Sequence, residues 1–118
     1  MNTGLKNVCR QLYERGIPLE AVANNAESQT QVTFTYAYTL YIIGRRIQQL
    51  RIIFRDSKAR MAEKILSTPE RIKQIEEADT IEIPITEIVM IAIAYRIRVG
   101  DLLELTPFEW YFDINWRL

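Results

Sequence analysis

Residues 57–76 read SKARMAEKILSTPERIKQIE, and this stretch decides the fold. Ser57 and Thr68 each stand just before a run with helical spacing, where a hydroxyl oxygen accepts from the open N–H groups of a first turn. Pro69 follows Thr68 at the first helical position, where its missing N–H is not needed. Met61, Ala62 and Ile65 share one face of the first run, and Ile72 and Ile75 share one face of the second. The pattern predicts helices over 57–65 and 69–78, separated only by Leu66-Ser67-Thr68. Ala62 is small enough to let two helices cross closely at a steep angle.

On either side the same periodicity continues. A helix is expected over Leu40–Phe54 with Thr39 as its cap, and two more over about 85–97 and 101–105. Further out, Val32, Phe34, Tyr36, Tyr38 and Leu40 alternate with Thr33, Thr35, Ala37 and Thr39, a period of two in β-branched and aromatic residues that predicts a strand. Phe108, Trp110, Phe112, Ile114 and Trp116 alternate in the same way after Pro107 and predict a second strand. Two short N-terminal helices complete the chain. One covers residues 3–15 and ends at Gly16; the other restarts at Ile17-Pro18, with Pro18 in its first turn and Leu19, Val22, Ala23 and Ala26 on one face. The expected architecture is mainly α: a helical arm with a strand at 1–38, a five-helix domain at 39–106 and a C-terminal aromatic strand at 107–118. That aromatic strand either builds a partner interface or folds back onto its own core.

With 118 residues, 48% of them hydrophobic and 25% charged, the chain can close one core. It has no histidine and a single cysteine, which removes zinc sites, disulfides and the commonest general base. Cys9 is expected as a small buried apolar residue. No glycine-rich phosphate loop occurs, and no carboxylate pair stands out, so no enzyme activity, metal or cofactor is expected. No apolar run is long enough for a membrane span, and MNTGLKNVCRQLYERG lacks the apolar core of a signal peptide; the expected location is the cytoplasm. The net charge of zero hides a segregation. Residues 45–75 carry nine basic and three acidic side chains, whereas residues 76–118 carry three basic and nine acidic ones. The middle third is basic enough to meet a polyanion, or it forms ordinary solvated helix faces.

The layout of residues 57–78 is that of a helix-turn-helix. The run IGRRIQQLRIIFRDSKARMAEKILSTPERIKQIEEAD, followed by IVMIAIAYRIRVGDLLEL, resembles the five-helix Xre/Cro-type DNA-binding domain of phage repressors and many bacterial regulators. Ile47, Leu50 and Arg51 match that family's Ile-x-x-Leu-Arg, and Ser57 through Ile65 match Ser-Gln-x-x-Leu-Ala-x-x-Leu with Lys58 in the Gln position. Ile72, Ile75 and Glu76 match Ile-x-x-Ile/Leu-Glu, and Ile91-Ala92, Ala94-Tyr95, Ile97 and Leu102-Leu103 match the closing motif. Leu66 stands where the family has its turn glycine, which predicts an altered turn. Ala78 replaces the glycine after the second helix, and Glu77 and Asp79 make the following loop acidic.

The resemblance implies a homodimeric, sequence-specific transcriptional regulator, repressor-like, with double-stranded DNA as its partner. It places Pro69, Glu70, Lys73 and Gln74 at base edges in the major groove. Arg45, Arg46, Arg55, Lys58, Arg60, Thr68 and Arg71 would lie along the phosphate backbone. Arg51 and Glu76 would form a structural ion pair, and Phe108, Trp110, Phe112 and Trp116 are the candidate dimer contacts. The competing expectation is a helix-turn-helix scaffold that binds protein, such as an antitoxin or an accessory subunit, through its aromatic tail and Ile52-Ile53-Phe54.

Overall fold

The structure is a computed structural model that describes residues 1, 3–23 and 29–103. These form α1 (Thr3–Glu14), α2 (Leu19–Ala23), α3 (Gln29–Ile53), α4 (Lys58–Lys64), α5 (Pro69–Glu76), α6 (Ile85–Tyr95) and α7 (Val99–Leu102). No strand occurs among them. None of these helices is long and apolar enough to cross a membrane. The expected strand at 107–118, and with it Phe108, Trp110, Phe112 and Trp116, lies outside the described residues.

The expected strand over residues 32–40 is a helix instead. It continues without a break into the segment expected from Leu40 onward, so the boundary drawn at residue 38 falls inside α3. The alternation in Val32–Leu40 coexists with a second, helical spacing: Phe34, Ala37, Tyr38, Tyr41 and Ile42 lie on one side of a helix. Packing against α1 and α2 selects that side. Ala37, Tyr38 and Ile42 are buried with Cys9, whereas Val32 and Tyr36 of the would-be strand face are half exposed. Tyr38 donates from its hydroxyl to the Ile17 carbonyl at 2.7 Å, and Thr39 returns its own hydroxyl to the Thr35 carbonyl at 2.9 Å. Tertiary contact thus overrides β propensity.

The 25-residue α3 is a spine with two cores on it. Its first half holds the small cluster of Cys9, Ala37, Tyr38 and Ile42, edged by Leu5, Leu12 and Val22. Its second half supplies Ile43, Ile47 and Leu50 to the main core, where Met61, Ala62, Ile65, Ile72, Ile75, Ile88, Ile91 and Leu102 meet them. Gly44 lies where α3 meets α5. A Cβ built on it would stand 2.2 Å from the Ile75 carbonyl oxygen, so backbone lies almost against backbone.

Ser57 and Thr68 cap α4 and α5 as their positions predict, accepting from Arg60 N–H at 3.0 Å and Arg71 N–H at 3.2 Å. The altered turn expected at Leu66 is absent. Leu66 takes the left-handed conformation itself (φ 58°), and Arg55, Ala78 and Arg96 do the same at the ends of α3, α5 and α6. Each of these ends, like that of α1 at Gly16, is closed by an N–H bonded five residues back: Asp56 to Arg51, Ser67 to Ala62, Asp79 to Gln74, Ile97 to Ala92 and Ile17 to Leu12. Only one of the five uses glycine.

Two substitutions test these backbone constraints. Gly44→Ala is expected to lower unfolding free energy by at least about 2–3 kcal/mol, because the atom it would meet is main chain that cannot swing aside; an unchanged urea midpoint would contradict the α3–α5 approach. Leu66→Gly is expected to raise stability by about 0.5–1 kcal/mol, the left-handed strain relieved outweighing the added chain entropy. The Leu66 side chain is 88% exposed, so little packing is lost, and a thermal midpoint a few degrees higher is the readout.

Candidate nucleic-acid interface

Three contacts hold the inner side and flanks of α5. Ile72 and Ile75 are fully buried against α3 and α4. Glu76 receives Arg51 Nε at 2.8 Å and Nη2 at 2.9 Å in a two-pronged ion pair, while Arg51 Nη1 donates to the Asp56 carbonyl at 3.0 Å. The hydrogen bond Arg51 donates to Glu76 raises the Arg51 pKa above its ordinary value, although burial opposes it. This is the structural pair the resemblance implied.

Arg71 makes the third contact. Its Nε and Nη2 donate to the two Glu87 oxygens at 2.9 and 2.5 Å, Nη1 donates to Thr80 Oγ1 at 2.8 Å, and Nη2 reaches the Glu82 carbonyl at 3.0 Å. Arg71 therefore clamps α5 to the 80–82 segment and α6, and its donors are committed within the fold. Arg46 also departs from its expected place on the backbone-facing surface. It is only 2% exposed and points inward, with Nη1 donating to the Asp101 carbonyl at 3.3 Å, which ties α3 to α7.

The outer face of α5 is open. Pro69, Glu70, Lys73 and Gln74 are all exposed. The Gln74 side-chain oxygen accepts a long 3.5 Å bond from Arg71. Of the expected backbone contacts, Arg55 is exposed at the end of α3, Lys58 is half-buried at the start of α4, and Arg60 is exposed but lies 3.3 Å from Glu63. Arg45 is half-buried and donates to Gln48 Oε1 at 2.7 Å. The Thr68 hydroxyl is occupied as a cap. Asp79, half of the acidic loop expected after α5, is paired with Lys6 Nζ at 2.5 Å. That pairing brings α1 to the end of α5, and no local sequence signal announces it.

The turn that positions α4 is held by Asp56. Its Oδ2 accepts from Tyr95 at 2.7 Å and from Lys64 at 2.5 Å, and Lys64 also lies 4.7 Å from the Tyr95 ring centre. Burial alone would push the Asp56 pKa up; the hydrogen bonds from Lys64 and Tyr95 outweigh it and hold the pKa below its ordinary value. Cys9 is buried, and burial pushes its thiol up to about 11, which leaves it protonated at neutral pH and unsuited to nucleophilic attack.

Comparison of the chain with family models, with curated proteins and with solved structures returns no match.

The lowered Asp56 pKa has a definite consequence for stability. The contribution is complete above the ordinary aspartate value, near pH 4, and is lost as pH falls through the lower folded-state value. The stability difference between wild type and Asp56→Asn is therefore expected to be flat from pH 8 to about pH 5 and to shrink only in more acid solution. Denaturant titrations at four or five pH values measure it; a difference that instead grows with acidity would contradict the arrangement.

Proposed function

We propose that the chain is a sequence-specific DNA-binding transcriptional regulator in which α3–α7 act as a repressor-like helix-turn-helix domain. A single observation carries the reading. The helix α5 is fixed from within by Ile72, Ile75, Glu76 and Arg71, yet offers Pro69, Glu70, Lys73 and Gln74 uncovered on its outer side. An α-helix fits the major groove, and side chains on a helix so anchored meet base edges without reorganising. Gln74 suits the paired donor and acceptor of adenine, Lys73 the acceptors of guanine, and Glu70 the amino group of cytosine.

Arg55, Lys58, Arg60 and Arg45 supply attraction to phosphate; Arg71 and Arg46 act as internal struts. Binding as a homodimer would set two copies of α5 in successive major grooves about 34 Å apart. The aromatic residues Phe108, Trp110, Phe112 and Trp116 are the proposed dimer contacts. Regulation needs occupancy only, with no chemistry at the site.

A second reading, a scaffold that docks a protein partner, is favoured by one specific feature. Met90 and Ile93 on the outer side of α6 are exposed, and Leu66 lies beside Met90 with its side chain in solvent.

Selection of random duplexes by the purified chain tests the first reading. A recoverable consensus is expected, and Lys73→Glu should weaken binding to it at least tenfold, with little change in thermal midpoint because the side chain is exposed. Enrichment of no sequence, with Lys73→Glu binding duplex as well as wild type does, would leave the protein-docking reading in its place.

A further inference from the structure

Beside the C-terminal end of α5, an open cleft of about 310 Å³ lies between α1 and α3. Lys6 and Arg10 of α1, Tyr41 and Arg45 of α3, and Glu76 and Glu77 all reach it. Two of these charges are already closely matched inside the protein. Lys6 is paired with Asp79 at 2.5 Å, and both Glu76 oxygens are taken by Arg51.

One cation is left without a carboxylate, and a second is held only loosely. Arg10 has its nearest carboxylate, Glu14, only at 4.0 Å, with both side chains more than half exposed. Arg45 is half-buried and bonded to the neutral Gln48, with no carboxylate partner among the described residues. Against these two guanidinium groups stand two exposed carboxylates, Glu77 and the Glu14 that Arg10 holds only loosely. Tyr41 lies near both arginines. Burial raises its pKa; Arg45 and then Arg10 pull the other way, and Glu14 nearby adds to the rise.

A half-buried guanidinium without a carboxylate, a second guanidinium opposite, and a phenol near both make a concave set of donors for a tetrahedral anion. Guanidinium forks match phosphate oxygens in pairs. The cleft is at the small end of ligand-sized cavities, large enough for a phosphate group with a sugar attached. The geometry points to a phosphate-binding site in this cleft, with Arg10 and Arg45 gripping the anion and the Tyr41 hydroxyl donating to it. The phosphate is either a backbone phosphodiester of duplex DNA or the phosphomonoester of a free nucleotide-sized ligand. The first source rests on the function proposed above, because the cleft adjoins the far end of α5; the second does not. In either case the N-terminal helix α1 becomes part of a binding surface as well as a brace.

The test uses the full chain and two probes. In the first arm, inorganic phosphate is titrated at constant ionic strength against a chloride control, following the backbone amides of residues 6–10 and the Arg Nε signals by NMR. Saturable, phosphate-specific shifts are expected, weakened at least tenfold in the Arg10→Gln/Arg45→Gln double variant. Arg10→Gln alone, at an exposed position, and Tyr41→Phe guard against a folding defect, with thermal midpoints measured beside them. In the second arm, duplex affinity is measured against salt. A slope lower by between about one and about two in the double variant assigns the phosphate to DNA. An unchanged slope with retained free-phosphate binding assigns it to a small ligand, and so does saturable phosphate binding by a chain that retains no duplex. Shifts that do not saturate or that chloride reproduces, together with an unchanged slope or no duplex binding, overturn the site. Lys73→Glu separates the two readings, since it should weaken duplex binding and leave the phosphate titration as in wild type.

Discussion

The contact of Gly44 with the Ile75 carbonyl governs this molecule. Without a side chain at 44, α5 settles onto α3 with backbone almost touching backbone, a Cβ there having only 2.2 Å to the carbonyl oxygen. That approach drives Ile72 and Ile75 fully into the core and brings Glu76 within reach of Arg51, seven residues further along the same spine. The ion pair adds little net stability, since both partners surrender hydration, but it fixes register and rotation. A turn of α5 about its axis would strand a carboxylate whose side chain is 1% exposed. Position, rotation and the exposed set Pro69, Glu70, Lys73 and Gln74 are consequences of one missing methyl group.

Helix ends show the same priority of packing over local preference. Arg55, Leu66, Ala78 and Arg96 all hold the left-handed backbone that glycine adopts most cheaply, at about 1–2 kcal/mol each. They do so because each end is closed by the same pair of hydrogen bonds and must redirect the chain into the next short helix. Leu66 is not a glycine, yet its backbone takes the conformation a glycine adopts most cheaply. Side-chain identity at such a position therefore reports a stability penalty more than a change of path.

Much of the helical middle was legible in the sequence. The hydroxyl caps at Ser57 and Thr68, Pro69 at a first turn and the apolar spacing of 61–75 all act within one or two turns, so a linear reading captures them. The resemblance supplied Arg51–Glu76, a contact spanning 25 residues that no local rule predicts. Residues 32–40 were misread because two periodicities overlap there, and only the presence of α1 and α2 decides between them. Arg46 and Arg71 were misplaced for a different reason. Sequence tells that an arginine is charged, not whether a carbonyl at Asp101 or a carboxylate at Glu87 is waiting for it. Lys6–Asp79 was missed in the same way, being a contact between distant segments.

These distant pairings change what the segregated charge means. In the linear chain, nine cations in residues 45–75 suggest a dense basic surface beside an acidic tail. In the fold, acidic residues of the last third return to cations from earlier segments: Glu76 to Arg51, Glu87 to Arg71 and Asp79 to Lys6. Lys64 is likewise taken by Asp56. The segregation serves in part to tie distant segments together, and what reaches solvent is a sparse set of cations around α5 rather than a continuous patch. Any polyanion bound here would meet few phosphate contacts, so discrimination would rest on the polar tips of α5 more than on bulk attraction. On such a surface, Arg45, bonded only to the neutral Gln48, and Arg10, loosely held by Glu14, carry more weight than their number suggests.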